Sequence, residues 1–211
     1  MPDFDIYRIA MMVIPVLLAL TVHEFAHALA ANRLGDNTAK NEGRLTMNPL
    51  PHLDPIGTVM LFFSGLFGWA KPVPFNPGNF RNPVRDTTLV ALAGPLSNLL
   101  TALALLLLFK LLVFVKFFNW VPLSYDTLDT IVHIFRLSIL VNISIAVFNM
   151  LPFPPLDGFK VLSYFLPHNL VIAAYRNQMV IMVVLLILVA TGTLGKVISP
   201  LIMTIFNFLA G

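Results

Sequence analysis

The run His23-Glu24-Phe25-Ala26-His27 brings two imidazoles and a carboxylate together within five residues. On a helix, side chains four positions apart share one face. His23 and His27 can therefore hold one metal ion between them, with Glu24 beside a water on that ion. Zinc suits such a pair, and it draws the pKa of a bound water down toward about 7. A neighbouring glutamate can then take a proton and pass it to a leaving amine. A catalytic zinc ion normally has three protein ligands and one open position. The chain has no cysteine, so the third ligand must be a His, Asp or Glu. Asp157, in Leu156-Asp157-Gly158, is the leading candidate, although an Asp-Gly pair by itself reads as readily as a turn.

These residues need elements to position them. The first motif occupies the second half of an apolar run at 9–34, which Gly35-Asp36-Asn37 closes. Over the whole 211 residues, 58% are hydrophobic and 11% charged, with a mean hydropathy of +0.86. Soluble domains carry about 25% charged residues, so the composition is that of a polytopic membrane protein. A net charge of +3 gives no reason to expect a nucleic-acid partner. Further apolar runs lie at 89–118, 131–151 and 170–190, and an apolar tail at 194–209 either spans or lies at the interface. A spanning helix needs about 20 apolar residues. The run at 56–70 is shorter and is broken by Gly65 and Gly68, which suits a re-entrant or interfacial segment. The expected architecture is an all-α polytopic membrane protein, one embedded domain over 1–211. Three core helices are followed by one or more C-terminal spans. The acidic start of the chain and the length of the first run favour a retained helix over a cleaved leader.

Charge placement orients these spans. Arg33, Lys40, Arg44, Lys71, Arg81 and Arg85 all fall between the first and second spans, whereas the loop after the second carries Asp126 and Asp129. Positive residues mark the cytoplasmic side. The expected topology has an extracytoplasmic N-terminus and a cytoplasmic 35–86 region, provided that region does not cross. His23 and His27 then lie toward the cytoplasmic end of the first span, and Asp157 lies at the cytoplasmic end of the third. Each strongly polar side chain deep in a bilayer costs on the order of 3 kcal/mol. Three of them within one apolar run call for a compensating partner, and a metal ion is one.

The pairing of His23-Glu24-Phe25-Ala26-His27 with Asn149-Met150-Leu151-Pro152-Phe153-Pro154-Pro155-Leu156-Asp157-Gly158 resembles the site-2 protease family of intramembrane zinc metalloproteases. Gly94-Pro95-Leu96-Ser97-Asn98 resembles the start of that family's middle core helix. Asn48-Pro49 to Gly57 and the run at 68–74 look like the compact members that lack a PDZ domain. The resemblance implies one zinc ion per chain held by His23, His27 and Asp157, with Glu24 activating water. It implies transmembrane protein substrates, cut within or near their membrane segments, and a multi-pass location in the cell membrane with the site facing the cytoplasm. It also implies that the extended stretch around Pro72-Val73-Pro74-Phe75 pairs with an unwound substrate.

Two asparagines are secondary candidates for substrate or oxyanion binding. Asn149 and Asn98 could serve in this way, or could instead make hydrogen bonds between helices. Gly94 and its small neighbours point to close helix packing. His52 and Asp54 read as residues of a solvated loop rather than a second metal site. His133 and His168 lie away from the motif. Two rival functions remain. A metal transporter would need further ligands along a path, and a non-catalytic relative would be expected to lack Glu24.

Overall fold

The computed structural model describes residues 6–64, 69–117 and 124–210 of the chain. Among them every regular element is helical, and three helices are long and apolar enough to cross a membrane. The first is α1, Ile6–Arg33, whose apolar part Met11–Arg33 includes the histidine motif. After the short helix α2, Thr38–Asn41, and the helix α3, Pro55–Ser64, comes α4, Pro83–Phe117. The third long helix is α5, Tyr125–Asn149. The chain then continues through α6 (Asp157–Ser163), α7 (His168–Arg176), α8 (Gln178–Ala190) and α9 (Thr193–Ala210).

Helices α1, α4 and α5 pack against one another in pairs, and α9 closes on α5. Where α1 meets α4 the residues on α1 are small: Ala31 is fully buried against Val90. Without a hydrophobic force between helices in lipid, such residues gain packing by letting backbones approach. Further along α4, Ala102 and Leu106 meet Ile139, Ile143 and Val147 of α5, with Ile198, Ile202 and Ile205 of α9 laid over them. Leu100, Leu107 and Leu111 of α4 face outward, as expected of a lipid-exposed surface.

Helix α3 has ten residues, so it rises only about 15 Å against a hydrocarbon core of about 30 Å. Leu53 and Ala70 form an antiparallel bridge, and Lys71 N donates to His52 O at 2.8 Å. The chain therefore leaves and returns at one place, as expected for a segment at 56–70 that does not cross. Residues 65–68 of that run, with both of its glycines, lie outside the described residues.

Three boundaries differ from the sequence expectation, each for a capping or polar reason. Helix α4 starts at Pro83 rather than 89, because Asn82 accepts from Arg85 N (3.2 Å) and Asp86 accepts in return from Asn82 N (3.0 Å). Pro83 takes the first helical position, where a missing N–H costs nothing. Helix α5 starts at Tyr125 rather than 131, since Ser124 accepts from Thr127 N as its N-cap. The expected run at 170–190 is two helices, α7 and α8, bent by 65°. The break falls at Asn177, whose side chain turns back to donate to Ala173 O at 2.8 Å. The tail forms a helix, apolar over Thr193–Leu209.

Candidate metal centre

Each imidazole of the motif is oriented from behind. His27 Nδ1 lies 2.7 Å from the main-chain carbonyl of Val90 on α4. A carbonyl only accepts, so Nδ1 carries the proton and Nε2 presents a lone pair. His23 Nδ1 lies 2.7 Å from Asn98 Oδ1. That amide is fixed in turn, because Asn98 Nδ2 donates to Ala19 O and to Asn142 Oδ1, both at 2.9 Å. Asn142 Nδ2 donates to Ser138 O at 2.8 Å. The chain of bonds thus ends on main-chain carbonyls, and His23 also carries its proton on Nδ1.

Both bare Nε2 atoms point at the same place. They lie 3.0 Å apart, and each is 3.1 Å from Asp157 Oδ2. Asp157 lies at the start of α6, just beyond the end of α5. The Lys160 ammonium beside it favours the carboxylate form. Three acceptors therefore converge, all from residues at most 7% exposed. Such a group is self-repelling unless a cation sits among its members. Ligands about 2.0–2.1 Å from a tetrahedral zinc ion would be separated by roughly 3.3 Å, close to the distances found here. The residues fit a zinc ion, and among the described residues this is the one group of three His, Cys, Asp or Glu so gathered.

The surroundings leave little freedom. A Cβ added at Gly94 would fall 2.5 Å from His27 Nε2 and 2.7 Å from His23 Cε1. Only a glycine lets α4 approach the two rings so closely. Lys160 Nζ donates to Asp157 Oδ1 at 2.9 Å, leaving Oδ2 to the histidines. Glu24 is 8% exposed, and its Oε2 accepts from Val73 N at 2.9 Å.

The structure thus gathers His23, His27 and Asp157, with Glu24 alongside in the helix. The two asparagines make hydrogen bonds within the fold, the second of the two readings open to them. Both N–H donors of the fully buried Asn98 are engaged, and its oxygen faces His23, so it orients a ring. Asn149 donates to Ile145 O of its own helix at 3.0 Å. The loop reading of His52 also changes. The side chain is 1% exposed, not solvated, and its Nε2 lies 2.9 Å from Thr46 O. Asp54 caps α3 by accepting from Gly57 N. Neither belongs to the metal group. Sequence reasoning missed Asn142 and Lys160. The signals were an amide midway along an apolar run and a cation three residues after Asp157.

Comparison with known proteins adds an independent line. The profile of Peptidase family M50 matches residues 11–191. A Bacillus subtilis protein named "Putative zinc metalloprotease YwhC" is 37% identical over 207 residues, covering 96% of this chain and 91% of the relative. "Putative zinc metalloprotease Rip2" of Mycolicibacterium smegmatis is 29% identical over 197 residues, 91% of this chain and 71% of its own. No solved structure matches the chain.

Proposed function

The chain belongs to peptidase family M50, and from that premise we propose that it is an intramembrane zinc metalloendopeptidase. It cuts peptide bonds within or near the membrane segments of other proteins, at a site facing the cytoplasm of the cell membrane. The observation that carries the reading is the convergence of three buried acceptor atoms within 4.8 Å of one another, where membrane-spanning helices meet.

His23 Nε2, His27 Nε2 and Asp157 Oδ2 hold the zinc ion. When bound, the ion supplies Lewis acidity to the scissile carbonyl and to water. Val90 and Asn98 keep both imidazoles in the ligating tautomer, and Lys160 occupies the second oxygen of Asp157. Glu24 accepts the proton of the attacking water and returns it to the leaving nitrogen. Water reaches the site from the cytoplasmic side, where the polar segments between α1 and α4 gather.

Cleavage of a model transmembrane substrate by the purified chain tests the reading. Glu24→Gln is expected to lower kcat by about 10²–10⁴-fold while zinc content stays at one per chain. Cleavage at the native rate would remove Glu24 from the mechanism. Asp157→Ala is expected to lose zinc and activity together, and unchanged zinc content would take Asp157 out of the ligand set.

A further inference from the structure

We propose that the main-chain N–H of Val73 is the group that aims Glu24, and that segment 71–76 is a fixed strut for it rather than a strand that a substrate joins. The inference rests on the reading of Glu24 as general base.

The donors available on this segment argue for a strut. Pro72 and Pro74 have no N–H to give. Lys71 N is bonded to His52 O, Val73 N to Glu24 Oε2, and Asn76 N to Asp36 Oδ2 at 2.8 Å. Of the six residues, Phe75 alone keeps an N–H without a partner. Strand addition draws its affinity from a ladder of main-chain donors and acceptors, and on the donor side this segment has only one amide left to offer.

Meanwhile the segment is held along its whole length. Arg44, only 4% exposed, donates through Nη2 to Lys71 O at 2.6 Å. The Val73 side chain is buried against Ala28 of α1 and Ala39 of α2. Phe75 stacks on Phe80, and Lys160 lies over its ring at 5.7 Å. Asp36 completes the set from just beyond the end of α1. Its Oδ1 accepts from Thr38 N, Thr38 Oγ1 and Asn79 Nδ2, and its Oδ2 takes the strut. Helix α1 therefore carries both the base and, through Asp36, the anchor of the group that orients it.

Fixing a carboxylate oxygen by a rigid N–H sets where its other oxygen points. That is positioning, and it affects the rate of the chemical step more than binding. The test removes the donor and leaves the rest. Val73→Pro deletes the N–H with little change of volume, and Val73→Ala keeps it. Zinc-loaded full-length chain, assayed on a model transmembrane substrate, is expected to lose about 10–100-fold in kcat with Val73→Pro, as for other orienting partners. KM and zinc content should hold. Val73→Ala should stay within about threefold of native. In Asp36→Asn the amide oxygen can keep the Oδ1 bonds while the strut loses its acceptor, so kcat should fall again at constant KM. Native kcat in Val73→Pro, an equal loss in Val73→Ala, or faster cleavage by Asp36→Asn would each overturn the proposal.

A readout independent of catalysis is hydrogen exchange of segment 71–76 in the full-length chain. Glu24→Ala should speed exchange of one amide there by about tenfold or more, and unchanged exchange would also overturn the proposal. A native chain that cuts no transmembrane substrate defeats the protease reading instead, and the exchange result would still stand.

Discussion

One stripe of α4 serves two purposes. Val90, Gly94, Asn98, Ala102 and Leu106 follow one another at intervals of four, a ridge that winds around α4 from the α1 side to the α5 side. All five are buried. At the Val90 end the stripe offers a carbonyl, a bare Cα and an amide, each matched to a particular atom of α1. At the Leu106 end it offers a methyl and an isobutyl group against Ile139, Ile143 and Val147. Hydrogen bonds and a ring edge accept one geometry, whereas apolar packing accepts many of similar volume. The two halves therefore share the same burial but differ in what they tolerate.

Substitutions along this stripe test the contrast. The largest effect is expected at Gly94→Ala, whose new methyl would occupy the space of the His27 ligating nitrogen. Zinc content by metal analysis should drop below about a tenth of native, and cleavage should fall with it. Asn98→Ala comes next. It frees the His23 ring to take the other tautomer, and zinc affinity should weaken by about 10–100-fold while the helices stay assembled. Smallest is the apolar half. Leu106→Ala should cost about 2 kcal/mol of stability in a denaturation assay with zinc binding intact, and the outward-facing Leu107→Ala should stay within about 0.5 kcal/mol. Should Gly94→Ala prove as harmless as Leu107→Ala, the distinction between the halves disappears.

The reactive side chains were legible because their types are rare inside apolar runs. His23, Glu24 and His27 stand out for that reason, whereas Asp157, at an Asp-Gly pair that reads as readily as a turn, depends on the span count and most of all on the family resemblance. Main-chain partners left no such trace. Every residue but proline has an N–H, and every residue has a C=O, so nothing marks Val73 N or Val90 O as the groups that matter. Asn142 did leave a trace, since an amide in mid-span needs a partner. The span count and the re-entrant character of 56–70 could be read from length and hydropathy. The ends of α4 and α5 could not, because polar caps at Asn82 and Ser124 extend each helix beyond its apolar run. The bend at Asn177 is of the same kind: one polar residue redirects a segment whose hydropathy is continuous.

The Leu53–Ala70 bridge has a further consequence for how such a chain is made and diversified. Because the loop it closes departs and returns on one side, an insertion machinery counts it as zero crossings. Residues can be added to or removed from that loop without inverting any helix that comes later. Those later helices carry Asn98 and Asp157, whose sidedness the centre requires. Length variation in the loop is thus uncoupled from the handedness of the site, and this stretch is free to change in size while the chemistry stays in place.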